Sequence, residues 1–358
     1  MSEPGPKVAP PMACETLAAM VARGQGSWLR APGAGRDPVV APIDRAAAMA
    51  QWLDPQAQVE GGASEAIACL PGGKVYGAGI VIAGDGQTLA RDVSLDFGRD
   101  AAGHWLVGGA AFRPPRPIPG RVAVIASVLG NSYAHWLLDE LPRLANLGPQ
   151  DAATTLIAHG GTECSRVALA LAQWSGPLHE PARRAHVIAD ELIVPALPGW
   201  TGRANARHLQ LITEFVAPLR APAMVTAERI YIARAQARRR RVLNEPEVIA
   251  ALTARGYLCV DLERLTWAEQ IALCRQAKVV VAPHGAGLAN IAFCQPGTRV
   301  VECFGREYVN ACYWQLAVTR GMDYEAVLPP DSGATSVDPK RNQTDFAIDL
   351  PALLTALR

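Results

Sequence analysis

The sequence has almost no excess of charge: 34 lysines and arginines stand against 33 aspartates and glutamates, a formal charge of +1. That balance excludes wholesale electrostatic binding to nucleic acid or to an anionic membrane. It has no unbroken apolar run of membrane-spanning length. The longest candidate, 278–304, is interrupted by Pro283, His284, Gly285, Gly287 and Pro296. The opening MSEPGPKVAPP lacks a basic-then-apolar signal pattern, so export by that route is not expected. None of the eight cysteines stands in a CxxC pair, which disfavours a zinc knuckle. Scattered thiols read as small buried hydrophobes in a reduced, cytoplasmic setting.

What is present is a globular composition, 50% hydrophobic and 19% charged, in 358 residues, enough for two cores. Residues 1–70, rich in Ala, Pro and Gly, read as an arm with a loosely packed helix around Ile43–Leu53. Segment 74–97 predicts a β-hairpin, with the GDG at 84–86 as its turn. From 121 onward, short apolar runs alternate with helical spacing: a strand at 121–128, a helix over 130–147, a strand at 154–160, a helix near 163–175 and a strand at 185–195. The C-terminal half repeats the pattern with strands at 229–234, 257–261, 278–282, 299–303 and 322–328. Asn244 with Glu247, and Thr266 with Glu269, form capping-box patterns. Buried-type strands alternating with helices predict an α/β fold with parallel sheets covered on both faces. The expected domains are 71–215 (hairpin plus a Rossmann-like part) and 222–358 (Rossmann-like), facing a cleft, with the proline-containing 216–225 as hinge.

Four elements carry candidate chemistry. The HGAG turn, His284, Gly285, Ala286 and Gly287, follows a strand at the end where doubly wound sheets bind ligands. Its glycines permit close backbone approach, the following helix N-terminus favours a phosphate, and His284 can add a donor. Arg234 directly follows a strand, and a run of arginines at 238–241 precedes the next helix, so guanidinium groups can fork onto a diphosphate. Glu302 ends a further strand, where a carboxylate can hold ribose hydroxyls. His135 and Asp139, four apart on a helix, suit a general base acting on a hydroxyl, although Pro142 should end or kink that helix. A rival reading takes GNSYA at 130–134 as a nucleophile elbow with Ser132 as a serine-hydrolase nucleophile. Ala134 replaces the last glycine of that motif, and the oxyanion-like loop lies on the wrong side of the serine.

On HWLLDELPRL (135–144), the arginine-bearing block 231–248, the block 265–304 and the tyrosine-bearing 313–324, the chain resembles glycosyltransferase family 61, in particular its bacterial members of capsular polysaccharide synthesis. The resemblance implies a GT-B architecture and an inverting, metal-independent transfer from a nucleotide-sugar donor, by default a uridine diphosphate sugar. A saccharide or lipid-linked saccharide would be the acceptor. The absence of a DxD triplet agrees independently with metal independence. No separate cofactor, metal or nucleic-acid partner is implied, and any membrane association would be peripheral at its inner face or through polysaccharide-assembly partners. Residue by residue, the resemblance implies Arg234, Arg238 and Arg241 on the phosphates, His284 to Gly287 lining the donor pocket, Glu302 on ribose, and His135 with Asp139 as base. Ala233 stands where many relatives carry serine. The binding-class alternative is a non-catalytic GT-B-like scaffold of a polysaccharide assembly.

Overall fold

The computed structural model describes residues 7–33, 65–94, 104–109, 111–197, 201–203, 205–221, 227–329 and 343–358. The chain divides into two compact units between Gly202 and Arg203. The sequence pattern placed that boundary later, at 216–225. The reason for the shift is packing: the helix Ala206–Phe215 buries His208, Leu209, Leu211 and Ile212. Just beyond its end, the Val216 carbonyl accepts a hydrogen bond from Arg275 Nη2 at 3.0 Å, which ties it to the second unit.

The first unit contains β1 (Ala13–Glu15), β2 (Ser27–Arg30), β3 (Ile67–Pro71), β4 (Lys74–Tyr76), β5 (Ile80–Ile82), β6 (Thr88–Ala90), β7 (Arg116–Val124), β8 (Thr155–Ile157), β9 (Leu178–His179) and β10 (His186–Pro195). Among the described residues these form one mixed sheet ordered β1-β6-β5-β4-β10-β7-β8-β9, with β3 also paired to β10 and β2 to β3. The long strand β10 is the hub, parallel to β7 and antiparallel to β3 and β4. The expected Rossmann-like part is therefore the parallel run β10-β7-β8-β9, and the expected hairpin and arm are strands of the same sheet. The GDG turn does join β5 to β6, but an earlier turn at Gly77–Gly79 adds β4, making a meander. Gly79 is required there: its φ is +111°, and a Cβ would lie 2.2 Å from the Ala126 carbonyl oxygen. Within the expected arm, the helix Leu17–Ala22 is capped by Thr16, whose Oγ1 accepts the Ala19 N–H at 3.1 Å. It buries Leu17 and Met20 against Leu70, Val122 and Leu192. The helix expected at Ile43–Leu53 lies outside the described residues.

The helix at 133–146 does not stop before Pro142. It runs as Tyr133–His135, a widened π turn at Trp136–Glu140, and Leu141–Asn146. Proline lacks an N–H and crowds the carbonyl four residues back. The π turn immediately upstream absorbs both defects, and such turns cluster at functional sites. Below it, fully buried Arg143 donates to the carbonyls of Val124, Ile125 and Pro195 at 2.8–2.9 Å, clamping the ends of β7 and β10. Burial pushes its pKa down to about 10, so the guanidinium stays charged at neutral pH.

The second unit contains β11 (Arg229–Ile232), β12 (Leu258–Val260), β13 (Val279–Pro283), β14 (Arg299–Cys303) and β15 (Asp323–Val327). All pairings are parallel, in the order β12-β11-β13-β14-β15. Tyr231, Val281 and Val301 are wholly buried, as the continuous apolar runs require. The strand order reverses between β11 and β13, the switch point at which open α/β sheets bind ligands. Of the two expected capping boxes, Thr266 and Glu269 form theirs: Thr266 N–H donates to Glu269 Oε2 at 2.8 Å, and Glu269 N–H to Thr266 Oγ1 at 3.3 Å. Asn244 does not cap its helix, because its side chain pairs with the backbone of Ile348 in both directions at 2.9 Å. Among the described residues no helix is long and apolar enough to cross a membrane.

Candidate active site

The loops after β11 and β13 enclose a cavity of about 420 Å³ at the switch point. Arg234, Arg238, Gly285, Ala286 and Gly287 line it together, with Arg239, Arg240, Asp261 and Glu263. Arg234 is fixed by its own loop. Its N–H donates to Glu245 Oε1 at 2.8 Å, its Nη2 to the Arg239 carbonyl at 3.0 Å and its Nε to the Arg240 carbonyl at 3.3 Å. Burial first, and the neighbouring Arg240 second, lower its pKa. Gly285 has extended backbone (φ 174°), so conformational freedom does not explain it. Close approach does, because a Cβ there would lie 1.6 Å from Arg234 Nη1. Beyond it Ala286–Phe293 is a 3₁₀ run, not the α-helix expected, and its first residues lie on the cavity.

Three expected roles change. Arg241 is not on this cavity: its Nε and Nη2 both bind Asp345 Oδ2, at 2.8 and 2.6 Å, and its N–H binds Asp345 Oδ1. Arg240 takes the inward place, with a left-handed φ of 52° and its guanidinium 5.0 Å from the Tyr308 ring. Glu302 is fully buried, one oxygen against His284 Nδ1 and the other accepting the Tyr324 hydroxyl, each at 2.5 Å. No ribose reaches it. His284 is itself buried, its ring stacked on Phe304. Burial lowers its pKa, and Arg240 and Arg234 reinforce this against the opposing pull of Glu302. Its neutral form therefore keeps its proton on Nδ1 toward Glu302, which leaves Nε2 an acceptor and not the phosphate donor expected.

In the first unit His135 Nδ1 lies 2.9 Å from Asp139 Oδ2. Asp139 is 1% exposed and also accepts the Thr201 hydroxyl and the Gly202 N–H, both at 2.7 Å. The imidazole is 17% exposed, so this is a reachable ring on a fixed carboxylate. Ser132 is not a nucleophile elbow: its backbone is extended (φ −95°, ψ 132°), and β7 ended at Val124. Reasoning from the sequence passes over Glu140, which is fully buried beside His159. Its Oε1 meets His159 Nδ1 at 2.6 Å and accepts the Ser127 N–H at 2.8 Å. The available signal was two adjacent acids in an otherwise apolar helix, followed by a histidine just past the next strand. For Asp261 it was the acid closing YLCVD; for Glu245, the first acid of NEPE.

Residues 133–301 match the family model Glycosyltransferase 61. Both histidine–carboxylate pairs of the π turn and all the residues lining the switch-point cavity fall within that match. The chain is 35% identical over 103 residues to the EGF domain-specific O-linked N-acetylglucosamine transferase of Drosophila melanogaster, covering 26% of this chain and 20% of that protein. It is 28% identical over 106 residues to Beta-1,2-xylosyltransferase RCN11 of Oryza sativa subsp. japonica, covering 27% and 20%. The chain thus spans about a fifth of the length of these curated relatives. Both are eukaryotic, and neither speaks to a bacterial capsular type. The family match and the relatives' names support a glycosyltransferase.

Proposed function

We propose that this chain transfers a sugar from a nucleoside-diphosphate donor to a saccharide or lipid-linked saccharide acceptor, with inversion and without an obligatory metal. The observation that carries the proposal is the switch-point cavity, where Arg234, Arg238, Arg239 and Arg240 meet the Gly285–Gly287 backbone. In an inverting transfer the acceptor oxygen bonds to the anomeric carbon as the diphosphate departs. The acceptor proton passes to a base, and the arginines offset charge growing on the leaving group. His135, held by Asp139, is the proposed base. The donor belongs to the second unit and the acceptor to the first, a GT-B division of labour. Assembly of a surface polysaccharide on the cytoplasmic side is the acceptor chemistry drawn from the sequence. The relatives' names add a peptide-linked N-acetylglucosamine and a β-1,2-linked xylose as products to assay.

The test is calorimetric titration with UDP, GDP, CMP and TDP in EDTA, of wild type beside Arg234→Ala. The expected result is metal-free binding of one diphosphate, weakened about tenfold or more by the substitution, which is about 1.4 kcal/mol. Folded wild-type protein that binds none of the four would overturn the donor assignment. Donor binding without transfer to any acceptor, unchanged in His135→Asn, would instead favour the scaffold.

A further inference from the structure

The switch-point cavity is not uniformly basic. Asp261 follows β12 directly, and Glu263 lies two residues on, both on the wall of a cavity that also holds four arginines. A carboxylate is misplaced beside a diphosphate, since like charges repel, but it is well suited to accept hydrogen bonds from sugar hydroxyls. Between them, Leu262 sits against the turn: a Cβ on Gly287 would lie 3.4 Å from Leu262 Cδ1. The acids therefore border the same glycine turn as the arginines, on its β12 side.

Asp261 is also the fixed one of the two. It caps the short turn Leu262–Arg264, with Oδ1 accepting the Glu263 N–H at 3.2 Å. That leaves Oδ1 a second lone pair. Oδ2 is buried, accepts no hydrogen bond and is ion-paired with Arg264 Nε at 3.4 Å, so Oδ1 is the oxygen through which a ligand would be met. The side chain is 15% exposed, against none for Glu302, the acid first assigned to ribose. An anchored carboxylate with acceptor capacity left on Oδ1, on the wall of an arginine-lined cavity, has the chemistry of a hydroxyl acceptor.

Resting on the donor reading above, we propose that Asp261 receives the ribose hydroxyls of the nucleotide and makes the site selective for ribonucleotides. The nucleoside lies toward β12, and the diphosphate turns toward Arg234 and the Gly285–Gly287 backbone. Asp261 is a binding residue in this scheme and takes no proton.

The experiment titrates the full chain with the best-binding nucleoside diphosphate, its 2′-deoxy and 3′-deoxy counterparts, and inorganic pyrophosphate. Wild type should prefer the ribonucleotide over at least one deoxy form by about 10- to 100-fold, the worth of a hydrogen bond to a charged group. Asp261→Asn retains a capping oxygen and should keep its melting temperature. It should lose most of that preference while binding pyrophosphate no more weakly than wild type. Glu263→Gln should leave the preference intact. A wild type indifferent to the hydroxyls, a preference that survives Asp261→Asn, or one that moves with Glu263→Gln would each overturn the assignment of Asp261 and leave the donor reading standing. Folded wild type that binds no nucleotide would overturn both.

Discussion

Each unit places a histidine just beyond the carboxyl end of a parallel strand, with Nδ1 against a fully buried glutamate. His159 follows β8 and meets Glu140 at 2.6 Å; His284 follows β13 and meets Glu302 at 2.5 Å. The local geometry is nearly the same, yet the two rings are biased in opposite directions. Burial disfavours the charged form of both. Around His159 the hydrogen bond and charge of Glu140, with Glu180 beyond, overcome burial and raise the pKa. Around His284 the arginines of the cavity side with burial, and Glu302 does not compensate. A histidine–carboxylate contact therefore does not by itself define a charge state; depth of burial and the next ring of charges do. In the second unit burial is the larger cause of the lowered pKa, and the arginines of the proposed diphosphate cradle add to it.

The comparison is broken most forcefully by removing the carboxylates. Glu302→Ala would leave His284 Nδ1 and the Tyr324 hydroxyl without their buried partner. Glu140→Ala would strand the N–H groups of Ser127 and His159. Both should cost about 3 kcal/mol in urea unfolding, because buried polar groups are left unpaired. If either loss came out below about 1 kcal/mol, that glutamate would be dispensable to its unit and the parallel between the pairs would be superficial.

A finer contrast comes from two glycines. A Cβ on Gly130 would lie 1.7 Å from Glu140 Oε1 and 2.6 Å from His159 Nδ1. Those atoms are buried and held by several hydrogen bonds, so Gly130→Ala should cost about 1–3 kcal/mol through overpacking. The Cβ on Gly285 would instead meet Arg234 Nη1, the tip of a side chain tied by two hydrogen bonds to loop carbonyls, which would have to give way. Gly285→Ala should cost about 1 kcal/mol of stability and weaken diphosphate binding about tenfold, or 1.4 kcal/mol. Thermal melts paired with calorimetry separate the two outcomes. A large melting loss at Gly285 with unaltered affinity would mean that Arg234 is a structural brace and not a ligand-facing group.

The parallel sheet of the second unit was legible because five apolar runs and their intervening helices carry local signals, and Thr266 with Glu269 announced one helix start. The mixed sheet of the first unit was not. Nothing in the short runs Ala13–Glu15 or Ser27–Arg30 says that they pair with strands 37 to 75 residues away. The candidate site was legible to the level of the loop, since glycines and arginines at strand ends pointed to the turns that line the cavity, but not to the level of the side chain. Arg241 and Arg240 are neighbours, and a pairing with Asp345, 104 residues on, decides which one faces inward. Glu302 looked like a ligand because a strand-end acid looks the same in sequence whether it points to the cavity or is buried beneath a histidine.

The smallest effect is the titration itself, and it tests the comparison directly. By NMR of the ring C–H signals, His159 should titrate above, and His284 below, the ordinary histidine value of about 6.5. The stability consequences have opposite signs. For His159, protonation is stronger in the folded state, so its contribution is complete below about pH 6.5 and lost as pH rises through the raised folded value. For His284 the unfolded chain binds the proton first. Stability is therefore intact above about pH 6.5 and declines as pH falls toward the lowered folded value. His159→Gln should flatten the upper part of the stability–pH curve, and His284→Gln the lower part, whatever either does to absolute stability. Adding the tightest-binding diphosphate should raise the His284 value by neutralising Arg234 and Arg240, and leave His159 where it was. If the ligand moved both rings equally, or neither, the charge environment of His284 would owe nothing to the cavity, and the difference between the units would be one of burial alone.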